Sequence, residues 1–283
     1  MSCVPGGITG VVLTFNGEKW LPRCLKSLSF CDKLLVVDSY SKDSTLDIAR
    51  AFGAEIYEHE WRGTAVQYKF AFEHVDTEWI ATIDEDEIIP TSLKSEILTF
   101  LADADKKGIN GCYVRRKTWY LDRFMKHSGW YPDYLLRVFR KKSTEIIHSG
   151  AHEQFVTSGE TAKLKGELLH FTYNSFYDQV RKNNEYAEQG ADDMREKGKK
   201  YSLINAILHA TWRFVRMYFM QMGFLDGRAG FIVASHDAFY TFSKYLRIDR
   251  GSWDGTPEIL ATIDHDLAGY DSSIDKSNNQ NGR

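Results

Sequence analysis

Apolar positions in the first hundred residues fall in short unbroken runs separated by amphipathic stretches. Residues 8–14 form the first such run and predict a buried strand. Leu21, Leu25 and Leu28 then recur at helical spacing, which predicts a helix over 18–28 with Pro22 in its first turn, where a missing N–H costs little. Residues 34–37 predict a second strand ending at Asp38. A polar turn at 39–44 follows, with Ser41 or Asp43 to cap a helix that runs to Phe52 and closes at Gly53. Residues 54–57 predict a third strand, 64–75 a helix, and 79–83 a fourth strand that runs into Asp84-Glu-Asp-Glu87. Continuous apolar strands alternating with helices predict an α/β fold with a mostly parallel sheet covered on both faces. Ligands of such sheets bind beyond the carboxyl ends of the strands.

The pattern changes after residue 110. Short strands rich in Trp, Tyr and Arg are expected at 111–116, 135–139 and 168–172, and helix from 173 to about 248. The expected organisation is a main α/β domain over 1–175, a C-terminal helical extension over 176–248, and a loosely held polar tail over 249–283. A length of 283 residues suits one large domain or two small ones. The net charge of −3 does not suggest nucleic acid as a partner. Four cysteines without a CxxC pair favour a reducing compartment. No basic, apolar leader is visible, and no run reaches 18 uninterrupted apolar residues. These features predict a cytoplasmic protein.

Three strand ends carry polar residues that packing alone does not demand. Thr14-Phe-Asn-Gly-Glu18 follows the first strand, Asp38-Ser-Tyr-Ser-Lys-Asp43 the second, and Asp84-Glu-Asp86 the fourth. On one rim of a parallel sheet, the first two could hold a base or ribose and the third a diphosphate. Carboxylates alone would repel a diphosphate, whereas a bridging Mg²⁺ or Mn²⁺ reverses the sign of the contact. The competing reading of Asp84 and Asp86 is a surface turn without a ligand, and Asp43 could serve only as a helix cap. Asp38 ends a buried strand, so its carboxylate needs a partner, for which a nucleotide hydroxyl or N–H is plausible. GxGxxG and GKS/T loops are absent, which excludes the corresponding dinucleotide and P-loop sites. His148, His152-Glu153 and His170 offer groups able to take a proton, but their spacing does not choose among them, and each lone His could be structural. HExxH is also absent.

Taken in order, these segments resemble a family 2 glycosyltransferase with the GT-A fold. Leu13-Thr-Phe-Asn-Gly-Glu18, Val36 through Thr45, Trp61-Arg-Gly63 through Gln67-Tyr-Lys69, and Ile83 through Glu87 carry the likeness. Trp130-Tyr-Pro-Asp133, Arg137-Val-Phe-Arg140, His152-Glu153 and Leu169-His-Phe-Thr-Tyr173 are similar to the branch of bacterial lipopolysaccharide inner-core β-glucosyltransferases. The resemblance implies that Thr14, Phe15, Asn16, Glu18, Asp38, Lys69 and Asp84 bind the nucleotide and that Asp86 holds a divalent metal. It implies Glu153 as catalytic base, and Trp130, Arg137, His152 and His170 as contacts to the acceptor or the diphosphate. Gly17, Tyr68 and Glu85 depart from the commoner pattern of the family without removing a needed chemical group. The implied reaction is an inverting transfer of glucose from UDP-glucose to a glycan or glycolipid acceptor such as lipopolysaccharide core. A polyprenyl-linked glycan or a protein could be the acceptor instead, and a non-catalytic nucleotide-sugar binding protein is the reading from a different class.

Two segments bear on partners. Residues 112–142 hold nine Lys or Arg interleaved with Trp and Tyr, a mixture that suits a phosphorylated oligosaccharide. Residues 201–247 hold eleven aromatics and a net charge of +3, which suits helices lying in an anionic headgroup layer on the cytoplasmic membrane face. A homodimer interface is the competing reading of the same helices.

Overall fold

Residues 4–149, 152–249 and 263 are described in a computed structural model, with the backbone alone for 148, 149, 152 and 153. The first strand, β1 (Ile8–Thr14), is followed by α1 (Leu21–Ser27), β2 (Lys33–Asp38), α2 (Thr45–Ala51), β3 (Glu55–Glu58), α3 (Thr64–Glu73) and β4 (Trp79–Thr82). Next come β5 (Glu87–Ile88), α4 (Thr91–Lys107), β6 (Ile109–Tyr120), β7 (Arg123–Phe124), β8 (Asp133–Arg140), β9 (Thr144–Ser149), β10 (His152–Thr157) and β11 (Glu160–His170). Three helices finish the described chain: α5 (Phe176–Glu196), α6 (Leu203–Val215) and α7 (Gly227–Leu246).

The sheet order is β3-β2-β1-β4-β8-β6-β11-β5, with β7 paired to β6 and a separate β9–β10 hairpin. Strands β3, β2, β1 and β4 run parallel, as does the β6–β11 pair, while β8 and β5 pair antiparallel. Parallel pairing therefore dominates where the alternating strand–helix pattern dictates it, and the later short strands make the sheet mixed.

Alternation along the strands builds two cores. Ile8 and Val12 of β1 and Val36 of β2 face α1 and α4, packing on Leu21, Leu25, Leu93 and Ile97. Val11, Leu35 and Val37 face the other way, toward Tyr68 and Ala71 of α3. A third cluster joins Tyr120 and Met125 to Met217, Ala229 and Val233, so the C-terminal helices pack on the end of β6. Within the extension, Gly230 lets α7 close on the segment before it, because a Cβ there would lie 1.8 Å from the Gly223 carbonyl oxygen.

Several bounds depart from the sequence expectation. The first helix starts at Leu21 rather than Glu18, because Glu18 is engaged with the loop after β2. The helix α4 and the β9–β10 hairpin have no counterpart among the expected elements. The long C-terminal helical stretch is three helices, capped at Ser175 and Ser202 by hydroxyls that accept from Asp178 N and Asn205 N. A π-helical turn, Arg216–Met220, and a 3-10 turn, Gly223–Asp226, separate α6 from α7. The expected tail lies outside the described residues, apart from 249 and 263.

Candidate active site

The loops after β1 and β2 are laced together. Thr14 and Asp38 are register partners, and Thr14 Oγ1 donates to Asp38 Oδ1 at 2.9 Å. Asp38 is fully buried and also accepts from Ser41 N at 2.7 Å and Ser41 Oγ at 2.5 Å. Asn16, at φ 54°, donates its N–H to Ser41 Oγ and accepts from Lys42 N through its side chain. Glu18 N donates to Asp43 Oδ2, and Glu18 Oε2 accepts from Ser44 N. Asn16, Glu18 and Asp38 thus hold the shape of the cradle with their own polar atoms. Phe15 and Tyr40 are left exposed at its mouth, two flat apolar faces of the kind a nucleobase stacks on.

The acidic turn between β4 and β5 sits beside this cradle. Glu85 Oε2 accepts from Phe15 N at 3.0 Å, and a Cβ on Gly17 would lie 2.3 Å from the same oxygen. Glycine at 17 is therefore what lets Glu85 lie against the loop. Burial pushes the Glu85 carboxyl up to about 8.

Asp84 and Asp86 have opposite environments. Arg137 Nη2 donates to Asp84 Oδ2 at 2.9 Å and to the fully buried Glu87 Oε1 at 2.6 Å. Tyr68 OH reaches Asp84 Oδ1 at 3.4 Å, and Arg116 links Glu87 at 3.6 Å to Asp133 at 2.8 Å. Burial raises the Asp84 carboxyl, but the Arg137 and Arg116 charges outweigh it and hold the group below its ordinary value. Among the described residues Asp86 forms no ion pair with an Arg. Burial and then the Asp84 charge push its carboxyl up to about 6. His170 Nε2 lies 3.5 Å from Asp86 Oδ1, and Phe171 N donates to the Asp86 carbonyl at 3.0 Å. Burial, followed by Arg116, drives His170 down to about 3, so its imidazole is neutral at pH 7.

A buried, underneutralised carboxylate beside a neutral imidazole is a donor set for Mn²⁺ or Mg²⁺. No group of three or more protein ligands converges among the described residues. An ion held here would therefore complete its shell with phosphate oxygens or water, as such ions commonly do.

The remaining expected residues divide. Arg137 joins the acidic turn, as described. Lys69 is exposed on α3, one residue beyond Tyr68, and has no ion pair among the described residues. Trp130 packs on Tyr120, with ring centroids 5.5 Å apart, against the C-terminal helices rather than the acidic turn. His152 and Glu153 lie on β10 by backbone pairing, Glu153 opposite His148, and their side chains are outside the described residues. The next residue, Gln154, lines a cavity of about 570 Å³ with Asp84, Arg116 and Arg137.

Sequence reasoning missed Glu87 and Arg116 as ion-pair partners and Lys182 altogether. Lys182 Nζ donates to the Thr172 carbonyl at 2.9 Å, two residues past His170, and its charge lowers both Asp86 and Glu85 against their burial. Nothing in the local pattern of α5 signals a lysine turned toward an acidic turn nearly a hundred residues earlier.

Residues 10–159 match the family model "Glycosyl transferase family 2". The chain belongs to that family and is an α/β glycosyltransferase of the GT-A type with a C-terminal helical extension. It is 29% identical over 272 residues to the lipopolysaccharide core biosynthesis glycosyltransferase LpsC of Rhizobium meliloti (strain 1021), covering 91% of this chain and 98% of that protein. It is 26% identical over 251 residues to the uncharacterized glycosyltransferase RT0209 of Rickettsia typhi, covering 85% of each. Among solved structures it is similar to S. aureus TarS 1–349 in complex with UDP-GlcNAc, at 14% identity and a TM-score of 0.44, over 83% of this chain and 81% of that one.

Proposed function

We propose that the protein transfers glucose from UDP-glucose, with inversion, to a sugar hydroxyl of a lipopolysaccharide-core type acceptor, and that residues 1–175 carry the chemistry. One observation carries the reading. Asp86 and the neutral His170 form a metal-competent pair beside a cradle built from the ends of β1 and β2. The likeness to LpsC along almost the whole chain supports the acceptor class.

In this reading Phe15 stacks on the base, and the Thr14–Asp38–Ser41 network keeps the loops in place. Lys69 adds positive charge at the edge of the cradle. Asp86 and His170 would hold the divalent ion, with Asp84 fixed beside them by Arg137. When bound, the ion neutralises charge on the diphosphate and on the UDP that leaves. Glu153 takes the proton from the acceptor hydroxyl, whose oxygen attacks the anomeric carbon from the face opposite UDP. The bond from the anomeric carbon to the β-phosphate oxygen breaks, and UDP departs with that electron pair. His152 acts on the acceptor side, beside Glu153.

We also place the enzyme on the cytoplasmic face of an anionic membrane. No helix among the described residues is long and apolar enough to cross one. Ile204, Leu208, Trp212 and Met220 nevertheless stand 54–70% exposed on α6 and the turn after it, an apolar surface suited to the headgroup boundary.

Titration of UDP with and without Mn²⁺ tests the donor side of this reading. Metal-dependent UDP binding is expected, and a folded protein that ignores UDP in both conditions would refute it.

A further inference from the structure

Group transfer needs a place for each of two substrates, and two cavities of unlike lining are present, one of them reaching Asp84 of the acidic turn. The larger, at about 570 Å³, contains Asp84, Arg116 and Arg137, a charged lining suited to a phosphorylated donor. The second, of about 360 Å³, lies at the carboxyl ends of β6 and β11 and the start of α1. Phe171 forms part of its wall, and the Phe171 N–H donates to the Asp86 carbonyl, so one wall of this cavity is tied through its backbone to the acidic turn.

Its lining chemistry differs. Trp20 and Phe171 stack with centroids 4.4 Å apart and planes 16° from parallel, and Trp119 and Tyr173 add further rings. Among the described residues no carboxylate lines it, and Lys19 is the one cation that does. Lys19 Nζ and Trp20 Nε1 both donate to Asn174 Oδ1, at 2.7 Å and 3.2 Å, which fixes the amide with its NH₂ end still able to donate. A diphosphate finds little charge here. A pyranose ring, by contrast, presents an apolar C–H face to flat aromatics and an edge of hydroxyls to the amide and the ammonium.

We propose that this cavity is the acceptor subsite and takes a pyranose ring of the acceptor glycan next to the hydroxyl that is glycosylated. The proposal rests on the glycan-transfer reading given above. It adds a role for the extension: Asn174 and Phe176 join the cavity to the start of α5, so the C-terminal helices help to shape the acceptor site.

The probe is a deacylated lipopolysaccharide inner-core oligosaccharide, titrated against tryptophan fluorescence and used as acceptor. Two variants are compared with wild type. Trp119→Ala removes a wall, and Leu121→Ala with Phe176→Ala removes rim side chains that are already 48% and 58% exposed, so folding should be little affected. The oligosaccharide should quench wild-type fluorescence. Each variant should raise its KM by roughly tenfold or more, with kcat little changed and the Kd for UDP within about twofold. Unchanged KM in both variants would overturn the proposal. So would an oligosaccharide that does not quench wild type, or an equal loss of UDP affinity. Failure of the donor reading is separate, since wild-type protein would then bind no UDP with Mn²⁺.

Discussion

Arg137 Nη2 bridges two carboxylates, donating to Asp84 at 2.9 Å and to Glu87 at 2.6 Å from a position only 7% exposed. The bridge joins β8 to the acidic turn and determines which carboxylate of the turn is neutralised by protein. Removing the guanidinium leaves Glu87 buried without its main counter-charge. Arg137→Met should therefore lower stability by about 3–5 kcal/mol, the usual consequence of breaking a buried pair from one side. Urea unfolding of Arg137→Met, compared with Arg137→Met combined with Glu87→Gln, checks this. The double variant should recover part of the loss.

Asp86 should show the reverse behaviour. Its carboxyl is raised to about 6 in the folded chain, above the ordinary unfolded value near about 4. The folded state thus holds the proton more tightly, and stability from this group declines as pH rises from about 4 through about 6. Without metal, Asp86→Asn should be at least as stable as wild type at pH 8, measured by thermal unfolding. With Mn²⁺ and UDP the order should reverse, because a carboxylate holds the ion more tightly than the neutral amide does. Metal-dependent UDP affinity of wild type should accordingly rise as pH increases through about 6 and stay low in Asp86→Asn.

Glu153→Gln keeps the size of the side chain and removes its ability to accept a proton. Turnover should fall by roughly 10²–10⁴ while UDP affinity stays near wild type. Turnover within a few-fold of wild type would move the base to His148, His152 or another carboxylate.

The exposed face of α6 should bind anionic vesicles. Ile204→Glu with Leu208→Glu places charge where insertion needs apolar surface, at positions 70% and 60% exposed, so the fold should persist. Co-sedimentation should drop at high salt as well as low, since apolar insertion is not screened. A change in sedimentation mass without any vesicle binding by wild type would point to a dimer face instead.

Much of the N-terminal half was legible in the sequence because buried parallel strands read as unbroken apolar runs that end in polar residues. Thr14, Asp38, Asp84 and Asp86 were singled out that way, and the structure places them at or just beyond the ends of β1, β2 and β4. Which partner each carboxylate takes was not legible. Asp38 is satisfied by Thr14 and Ser41 within its own loops, whereas Asp84 meets Arg137 from 53 residues away through the antiparallel β4–β8 pairing. Antiparallel register and helix docking bring such residues together, and neither leaves a local period. Trp130 shows the same limit from the other side, since its aromatic character fits a sugar platform and its packing is with Tyr120 and the C-terminal helices.

The most direct test of the central claim is transfer itself. Wild type and Asp86→Ala would be incubated with radiolabelled UDP-glucose, Mn²⁺ and the deacylated inner-core oligosaccharide, and the product's anomeric configuration read by NMR. The account predicts a β-linked glucosyl product from wild type, none when Mn²⁺ is chelated, and none from folded Asp86→Ala. Equal transfer by the Asp86→Ala variant, or an α-linked product, would contradict it.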